Sequence, residues 1–572
     1  MLNQFSRVLK HYPISCRQSK SKSQSTLPLA RRISVVEEMH MMRGISQRIS
    51  ISTNKRCGNL NVTFSKLKAM GYHTRFFVLD GNVLPVGLSR NTVVDHVATR
   101  YITLSQLFAR DLGTLSRKEP PESPGIPFFG TMLSLAMAGG AQKLHEYVDK
   151  RHKELGPVFR EQIGPVRAVF VNSPDEFRRI FLGLEGAMPQ HFLPESWKLY
   201  NEIRAQRRGL LFMDGYEWYY FRKILNKTML LPDSTKLMST PCQEAAENLA
   251  KKWKAQSQSG STISDLEHQL YLWSIEAMLA TLIGSRWLDH EKQLRSEAKN
   301  LALMLHQIFE HSATLSMVPA KLAMTLRLPA WTKFVRAADT IMDKVCKLVP
   351  KMIQFDSDGL LRTMMSNGIR DDDAVRIVAD FIIAAGDTTA ITMQWTLLLL
   401  SSRPEFQDHL FHKVKHLSLE EILREHLVRS VWREALRLHP VAPFLTRYLP
   451  ADATIGDYSV SKGDLILMSI YSSGRNEDDF SQPNEFKPER WIRTKEGGYQ
   501  GVKNSYASLP FAMGVRSCIG RKLAETQMSL AVAQLVKNFK IECKNRDSIE
   551  MILHLISVPS RPIELKLTER EV

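Results

Sequence analysis

The stretch Phe511-Ala-Met-Gly514-Val-Arg516-Ser-Cys518-Ile-Gly520 decides the fold of this chain. A single cysteine stands between two glycines, and Gly514 lets the backbone turn tightly before it. Apolar residues recur at helical spacing after Gly520, which predicts a helix that begins beside the cysteine. The N-terminal end of that helix and the positive charge of Arg516 would favour an ionised thiol.

A thiolate on a tight loop suits an iron atom that takes one cysteine ligand. The alternative is a buried free cysteine, which is the usual fate of a lone Cys. The six cysteines of the chain have no paired spacing and no zinc pattern, so they predict reduced thiols; they stand at positions 16, 57, 242, 346, 518 and 543. The loop around Cys518 favours the ligand interpretation.

The loop resembles the haem-binding loop of the cytochrome P-450 family, the haem-thiolate monooxygenases, whose pattern is Phe-x-x-Gly-x-Arg-x-Cys-x-Gly. Four other segments are similar to family landmarks in the same order: Trp218-Tyr-Tyr-Phe-Arg222, Ala384-Ala-Gly-Asp-Thr-Thr389, Glu434-Ala-Leu-Arg437 and Phe486-Lys-Pro-Glu-Arg-Trp491. The resemblance covers residues 118–566. It implies a mostly α fold in one unit, with a long central helix over a buried haem b and a small β region.

The resemblance also implies a role for each matching residue. Cys518 would be the axial thiolate ligand of the haem iron. Glu434 and Arg437 would form an ion-pair triad with Arg490, which locks the cysteine loop and has no catalytic part. The remaining cofactor-binding residues would contact the haem, the arginines at its propionates; they are Trp218, Arg222, Arg447, Phe511 and Arg516.

Residues 374–399 are apolar on nearly all sides, which predicts a buried helix about 39 Å long. Gly386 and the threonines after it are poor helix formers, and threonine hydroxyls compete for backbone carbonyls. The sequence therefore predicts a local opening of this helix. The resemblance makes Asp387 and Thr388 the catalytic candidates, which deliver protons to iron-bound oxygen. A helix N-cap at Asp387 is the alternative.

The positive charge is concentrated near the N-terminus. The chain carries a net charge of +18, and residues 1–117, with 18 Lys and Arg against five acidic residues, hold +13 of it. No acidic residue precedes Glu37, and serines are frequent, so residues 1–117 are predicted to be a basic extension that includes a mitochondrial transit peptide. A disordered basic tail is the alternative. Residues 118–572 would form the catalytic domain.

Two other observations concern partners. No N-terminal run of about 18 apolar residues is present, so we expect peripheral association with a membrane, at the matrix side of the mitochondrial inner membrane. The catalytic part has no nucleic-acid motif, and we expect no nucleic acid partner. Basic residues resemble those with which mitochondrial family members receive an acidic [2Fe-2S] ferredoxin, although a solvated basic face is the alternative; they are Arg429, Arg433, Arg521 and Lys522.

The resemblance implies hydroxylation of an unactivated C–H bond with O2 and two electrons, relayed from NADPH through a ferredoxin. Within the mitochondrial branch, residues 507–525, 472–475 and 556–559 are similar to the insect ecdysteroid hydroxylases. The implied substrate is a steroid, an ecdysteroid precursor hydroxylated at C2. Two alternatives stay open: another sterol or xenobiotic hydroxylase, and a haem-thiolate isomerase or dehydratase that needs no O2.

Overall fold

The structure, a computed structural model, describes residues 118–571 except 208, 259, 261, 317 and 356, together with four strands closer to the N-terminus. The chain divides into two units, Met1–Ser116 and Arg117–Val572. The strands of the first unit form an antiparallel sheet in chain order: β1 (Ile49–Thr53), β2 (Leu60–Phe64), β3 (Arg75–Leu79) and β4 (Asn82–Val86). The predicted transit peptide and Glu37 lie outside the described residues.

Helices make up most of the second unit. In chain order its α-helices are α1 (Met132–Met137), α2 (Leu144–Leu155), α3 (Pro174–Arg179), α4 (Glu195–Ile203), α5 (Gly215–Met229), α6 (Ser234–Ser257), α7 (Leu266–Ile283), α8 (Trp287–Leu315), α9 (Ala320–Thr325), α10 (Pro329–Gln354), α11 (Leu360–Ser366), α12 (Asp371–Leu400), α13 (Pro404–Val414), α14 (Leu419–Arg424), α15 (His426–Leu438), α16 (Ile470–Ser473) and α17 (Arg521–Asn538).

The β region of this unit is small. A sheet of four strands has the order β5 (Val158–Ile163), β6 (Val166–Val171), β10 (Leu465–Ser469), β7 (Phe444–Tyr448), and β10 runs parallel to β6 and antiparallel to β7. Three strand pairs complete it: β8 (Ala453–Ile455) with β9 (Tyr458–Val460), β11 (Phe539–Cys543) with β14 (Leu565–Glu569), and β12 (Met551–His554) with β13 (Ile556–Pro559). The predicted mostly α fold with a small β region is confirmed.

Helix α12 is the central element of the unit. It packs against α7, α10 and α15, and most of its residues are buried in one large apolar core. Three aspartates, Asp371 to Asp373, form its first turn, where the helix dipole favours negative charge. The predicted buried helix over residues 374–399 corresponds to α12. No helix in the described part of the chain is long and apolar enough to cross a membrane.

Candidate active site

The loop that carries Cys518 is held in a conformation that only glycine fits at one point. Gly514 has a φ of +79°, and a Cβ there would collide with the Glu185 carboxylate and come within 2.9 Å of the Phe181 carbonyl oxygen. The Cys518 N–H donates to the Phe511 carbonyl oxygen at 2.9 Å, which closes the loop. Helix α17 begins three residues after the cysteine. The sequence therefore presents one thiol at the start of a long buried helix.

The thiol of Cys518 is exposed to a space bordered by protein. Desolvation raises its pKa above the ordinary value, whereas the Gly520 N–H, Arg222 and Arg521 act in the opposite direction. The sequence predicted that the helix end would favour the ionised thiol; in the protein alone, desolvation outweighs that effect. Coordination to a metal reverses the balance, because a coordinating thiol is deprotonated.

A buried ion pair supports the loop that carries Cys518. Glu185 accepts a hydrogen bond from the Val515 N–H at 3.1 Å and pairs with Arg447 Nε at 2.6 Å. Arg447 is 4% exposed, and no described residue forms a hydrogen bond with its Nη2 atom. Burial raises the pKa of Glu185, although Arg447 lowers it. Sequence reasoning missed Glu185, since nothing in its local sequence marks it.

Two further arginines stand beside Cys518. Arg222, on α5, is 5% exposed, and burial lowers its pKa to about 10. Its Nε atom has no hydrogen-bond partner in the described ranges of the chain. Arg516 lies over the ring of Trp218 at 4.9 Å, so these two predicted residues are in contact. Arg516 donates to the Asp214 carboxylate at 3.0 Å and to the carbonyl oxygens of Pro189, Leu211 and Met213. Its contacts therefore tie the cysteine loop to residues 189–214.

The structure adds His191 to this cluster. Within the described part of the chain, both ring nitrogens of His191 are buried without a hydrogen-bond partner, and burial, together with Arg516 and Arg447, lowers its pKa to about 3. The ring is therefore neutral at physiological pH and can donate one N–H. Sequence reasoning missed His191, because no recognisable motif surrounds it.

The predicted ion-pair triad is present and fully buried. The Glu434 Oε1 atom accepts hydrogen bonds from Arg437 Nη2 at 2.7 Å and from Arg490 Nε at 2.8 Å. The Trp491 indole also donates to Glu434, at 2.8 Å. Phe511 packs edge-on against Trp432, one turn of α15 from the triad, at 6.3 Å between ring centroids. This cluster joins α15 to the segment that leads into the cysteine loop.

One face of α12 is exposed in the middle of an otherwise buried helix. Ala384 is exposed and Ala385 and Thr388 are part-exposed, although most of their neighbours along the helix are buried. The Thr388 hydroxyl donates to the Ala384 carbonyl oxygen at 2.7 Å, and Ser274 of α7 donates to the Ala385 carbonyl oxygen at 2.8 Å. An open space therefore lies beside this face.

The predicted local opening of helix α12 is wrong. Helix α12 is α-helical without interruption from Asp371 to Leu400, and side-chain hydroxyls donate hydrogen bonds to the carbonyl oxygens of Ala384 and Ala385 within it. Gly386 serves packing: a Cβ there would be 2.8 Å from Leu305 Cδ1 of α8 and 3.2 Å from Ile275 Cγ1 of α7. The glycine lets three helices approach closely.

Asp387 faces away from the exposed side of α12. It is 1% exposed, and a hydrogen bond with Tyr271 of α7 lowers its pKa while burial raises it to about 7. Consecutive residues of a helix point about 100° apart, so Asp387 and Thr388 occupy different faces. The structure therefore does not bring the two catalytic candidates into one space.

The basic residues predicted to receive an electron donor differ in their surroundings. Arg521 is exposed, Lys522 is part-exposed, and Arg429 lies 3.7 Å from Glu525 with 38% of its side chain exposed. Arg433 is different, because its guanidinium lies over the rings of Trp491 and Tyr499, at 4.4 and 4.9 Å, and donates to the Tyr499 hydroxyl. Arg433 is part-exposed, and these contacts hold its guanidinium against the loop that precedes the cysteine.

Comparison with known sequences decides the family. The family model described as Cytochrome P450 matches residues 120–567. The chain belongs to the cytochrome P450 family. Mitochondrial cytochrome P450 315a1 of Drosophila melanogaster is 36% identical over 79% of this chain and 88% of its own length. Mitochondrial 1,25-dihydroxyvitamin D(3) 24-hydroxylase of Rattus norvegicus is 27% identical, covering 79% and 89%.

A third relative is the mitochondrial cholesterol side-chain cleavage enzyme of Sus scrofa, 27% identical over 74% of this chain and 84% of its own length. These names support a mitochondrial cytochrome P450 monooxygenase, in agreement with the prediction from the sequence. Its cofactor is the haem of the family, whose iron has a cysteine thiolate as axial ligand.

The residues around Cys518 fit such a haem. Buried nitrogen atoms of Arg222, Arg447 and His191 lack hydrogen-bond partners, and a buried donor without a partner costs about 1–3 kcal/mol. Two propionates would supply the missing acceptors and the missing negative charge. Both terminal nitrogens of Arg516 donate to protein oxygens, which indicates that this arginine positions the loop, with Trp218 beneath it.

Proposed function

We propose that this cytochrome P450 hydroxylates an ecdysteroid precursor at C2. The observation that carries the proposal is the 36% identity to a mitochondrial cytochrome P450 of Drosophila melanogaster along most of both chains. Residues 507–525, 472–475 and 556–559 support it further, because they resemble the insect ecdysteroid 2-hydroxylase called Shadow. The vitamin D(3) and cholesterol enzymes among the relatives favour a sterol.

Cys518 is the proposed axial ligand, and the loop geometry and the arginines beside it support that role. Arg222, Arg447 and His191 would bind the propionates, whereas Trp218, Phe511 and Arg516 would hold the walls of the haem site. When bound, the haem supplies the iron at which O2 is reduced and from which one oxygen atom enters the substrate. The exposed face of α12 would form the opposite wall.

Thr388 is the proposed proton carrier beside that oxygen. Its hydroxyl donates to the Ala384 carbonyl oxygen, so its lone pairs can accept a hydrogen bond from the space beside the helix. Asp387, whose pKa is raised to about 7, would hold the next proton. Because Asp387 faces Tyr271, its side chain must turn before a proton can reach Thr388. This order of groups resembles a general acid relay.

An acidic [2Fe-2S] ferredoxin is the proposed electron donor. Arg429, Arg521 and Lys522 support the proposal, since they place positive charge around the start of α17, next to Cys518. Opposite charges on two proteins attract each other at long range and raise the rate at which they associate in the productive orientation. Arg433 would contribute only through the loop it supports.

Peripheral attachment to the matrix side of the inner membrane is proposed with the same function. Four apolar side chains around α1 support it, because Phe128 is 91% exposed, Met137 76%, and Phe129 and Leu133 both 59%. Large apolar side chains grouped at a surface are typical of membrane contact.

Residues 1–117, including a transit peptide, are proposed as the extension that precedes the catalytic domain, residues 118–572.

The test is turnover of a panel of ecdysteroid precursors by the purified holoenzyme with a ferredoxin, its reductase and NADPH. NMR should locate one new hydroxyl group at C2, and product should require O2. A hydroxyl group at another carbon would overturn the C2 assignment. Turnover without O2 or reductant would instead favour an isomerase or dehydratase.

A further inference from the structure

A small cavity with a few polar groups in a mainly apolar lining lies beside α12, about one helical turn before the exposed face. It has a volume of about 30 Å³ and is lined by residues of α4, α8, α10 and α12 and of the loop after α4. A cavity needs roughly 10–15 Å³ to hold one water molecule, so this one accepts a water molecule or a hydroxyl group and excludes a ring. We call it the polar recess. Asp380 of the recess and Ala384 of the exposed face are four residues apart on α12, so they lie one turn apart on the same side of the helix.

Asp380 is the acidic group of the polar recess. The Leu211 N–H donates to its Oδ2 atom at 2.7 Å, and no donor to its Oδ1 atom is recorded among the described residues. Burial raises the pKa of Asp380 to about 7, although the Leu211 N–H and Arg376 lower it. Oδ1 is therefore available to a ligand, while Oδ2 holds the loop after α4.

Asn201 of α4 supplies the complementary group. It lines the same recess, and its buried Nδ2 atom has no hydrogen-bond partner among the residues that the structure describes. A buried amide N–H without a partner is destabilising, so such a group is normally satisfied by water or by a ligand. An acceptor on Asp380 and a donor on Asn201, in a recess of this size, match the two hydrogen-bonding functions of one alcohol.

We propose that the polar recess binds a hydroxyl group of the substrate, which donates a hydrogen bond to Asp380 and accepts one from Asn201. The proposal rests on the proposed function and deepens it, because it specifies a sterol that carries a hydroxyl group far from the attacked carbon. Asp380 and Thr388 are eight residues apart, or about 12 Å along the helix axis. That separation is comparable to the long axis of a sterol nucleus. With C2 attacked, the recognised hydroxyl group lies at the side-chain end.

The experiment compares two sterols that differ only in that side-chain hydroxyl group. Their dissociation constants are measured from the change in the haem spectrum on binding to the holoenzyme. The wild-type protein should bind the hydroxylated sterol about tenfold or more tightly. Asp380→Asn, which keeps an oxygen for the Leu211 N–H, and Asn201→Leu should each reduce that preference to less than threefold and leave the affinity for the other sterol unchanged. Met342→Leu, in the same recess, is the control that should keep the preference.

The outcomes separate the two proposals. Equal affinity of the wild-type protein for both sterols, or full retention of the preference in both variants, overturns the polar recess and leaves the sterol hydroxylase standing. Loss of affinity for both sterols alike, in correctly folded variants with normal haem content, also overturns it, because Asp380 and Asn201 would then serve only the fold. Binding of neither sterol by the wild-type protein overturns the proposed function, and the polar recess with it.

Discussion

At the scale of single residues, Cys518 is surrounded by groups that act in opposite directions on its charge. Desolvation favours the neutral thiol, and Arg222, Arg521 and the Gly520 N–H favour the thiolate. The same neighbours that fail to ionise the free thiol would stabilise it once an iron atom has displaced its proton. The surroundings of the loop therefore favour a thiolate that is bound to a metal over a free thiolate.

Replacing this ligand gives the most direct test of the site. Cys518→Ser should abolish the absorbance band near ~450 nm of the reduced carbonyl complex, because that band reports thiolate ligation. Cys346→Ser is the matched control, since this cysteine is exposed on α10, and it should keep the band. Survival of the band in Cys518→Ser would assign the ligand to another cysteine.

Thr388→Ala should uncouple reduction of O2 from hydroxylation. The variant keeps haem and substrate binding, but product formed per NADPH should fall severalfold and hydrogen peroxide should rise, because the hydroxyl that holds a proton beside the oxygen is lost. Thr396→Ala removes a similar hydroxyl, bonded to the carbonyl four residues earlier but fully buried, and should leave coupling unchanged. Normal coupling in Thr388→Ala would contradict the relay.

Asp387 should make the protein less stable as the pH rises. Its pKa is 3.8 in an ordinary environment and about 7 here, so the unfolded chain ionises first and stability is lost between about pH 4 and pH 7. Asp387→Asn should therefore raise the melting temperature of the holoenzyme more at pH 8 than at pH 5. The exposed Asp547→Asn should show no such difference. An equal effect of Asp387→Asn at both pH values would refute the raised pKa.

At the scale of elements, the cysteine loop depends on the absence of a side chain at Gly514. Gly514→Ala should lose most of its haem, since the new methyl group meets the Glu185 carboxylate and the backbone is strained at positive φ. Gly497→Ala isolates the strain, because Gly497 has a φ of +88° with nothing within 4 Å of its Cβ position. Haem content per protein should fall only in the first variant; equal loss in both would mean that backbone strain alone decides.

The elements differ in how far the sequence predicts them. Helix α12 was predictable because burial on all sides leaves a continuous apolar run, and the cysteine loop because its glycines and cysteine are local. Glu185 and His191 were not predictable, since each reaches the loop from more than 300 residues away in sequence. The role of Gly386 was misjudged for the same reason: helix propensity is local, whereas Leu305 and Ile275 come from other helices.

At the scale of the whole molecule, positive charge lies at the N-terminal end of α17, which begins with Arg521 and Lys522. Arg521→Glu combined with Lys522→Glu should raise the ferredoxin concentration for half-maximal turnover about tenfold or more and leave substrate binding unchanged, because like charges would face an acidic partner. Lys540→Glu is the matched control, because it makes the same change of charge just beyond the other end of α17. The effect should shrink at high salt. An unchanged ferredoxin requirement would mean that this face is only solvated.

The haem site is assembled from distant parts of the chain. His191 and Cys518 are 327 positions apart in the sequence. Contacts between residues so far apart are slow to form, because closing a long loop costs conformational entropy before the contacts compensate for it. A chain that binds haem through both residues can therefore do so only when the whole catalytic unit has folded, so the haem content of a preparation would measure the fraction of completely folded molecules.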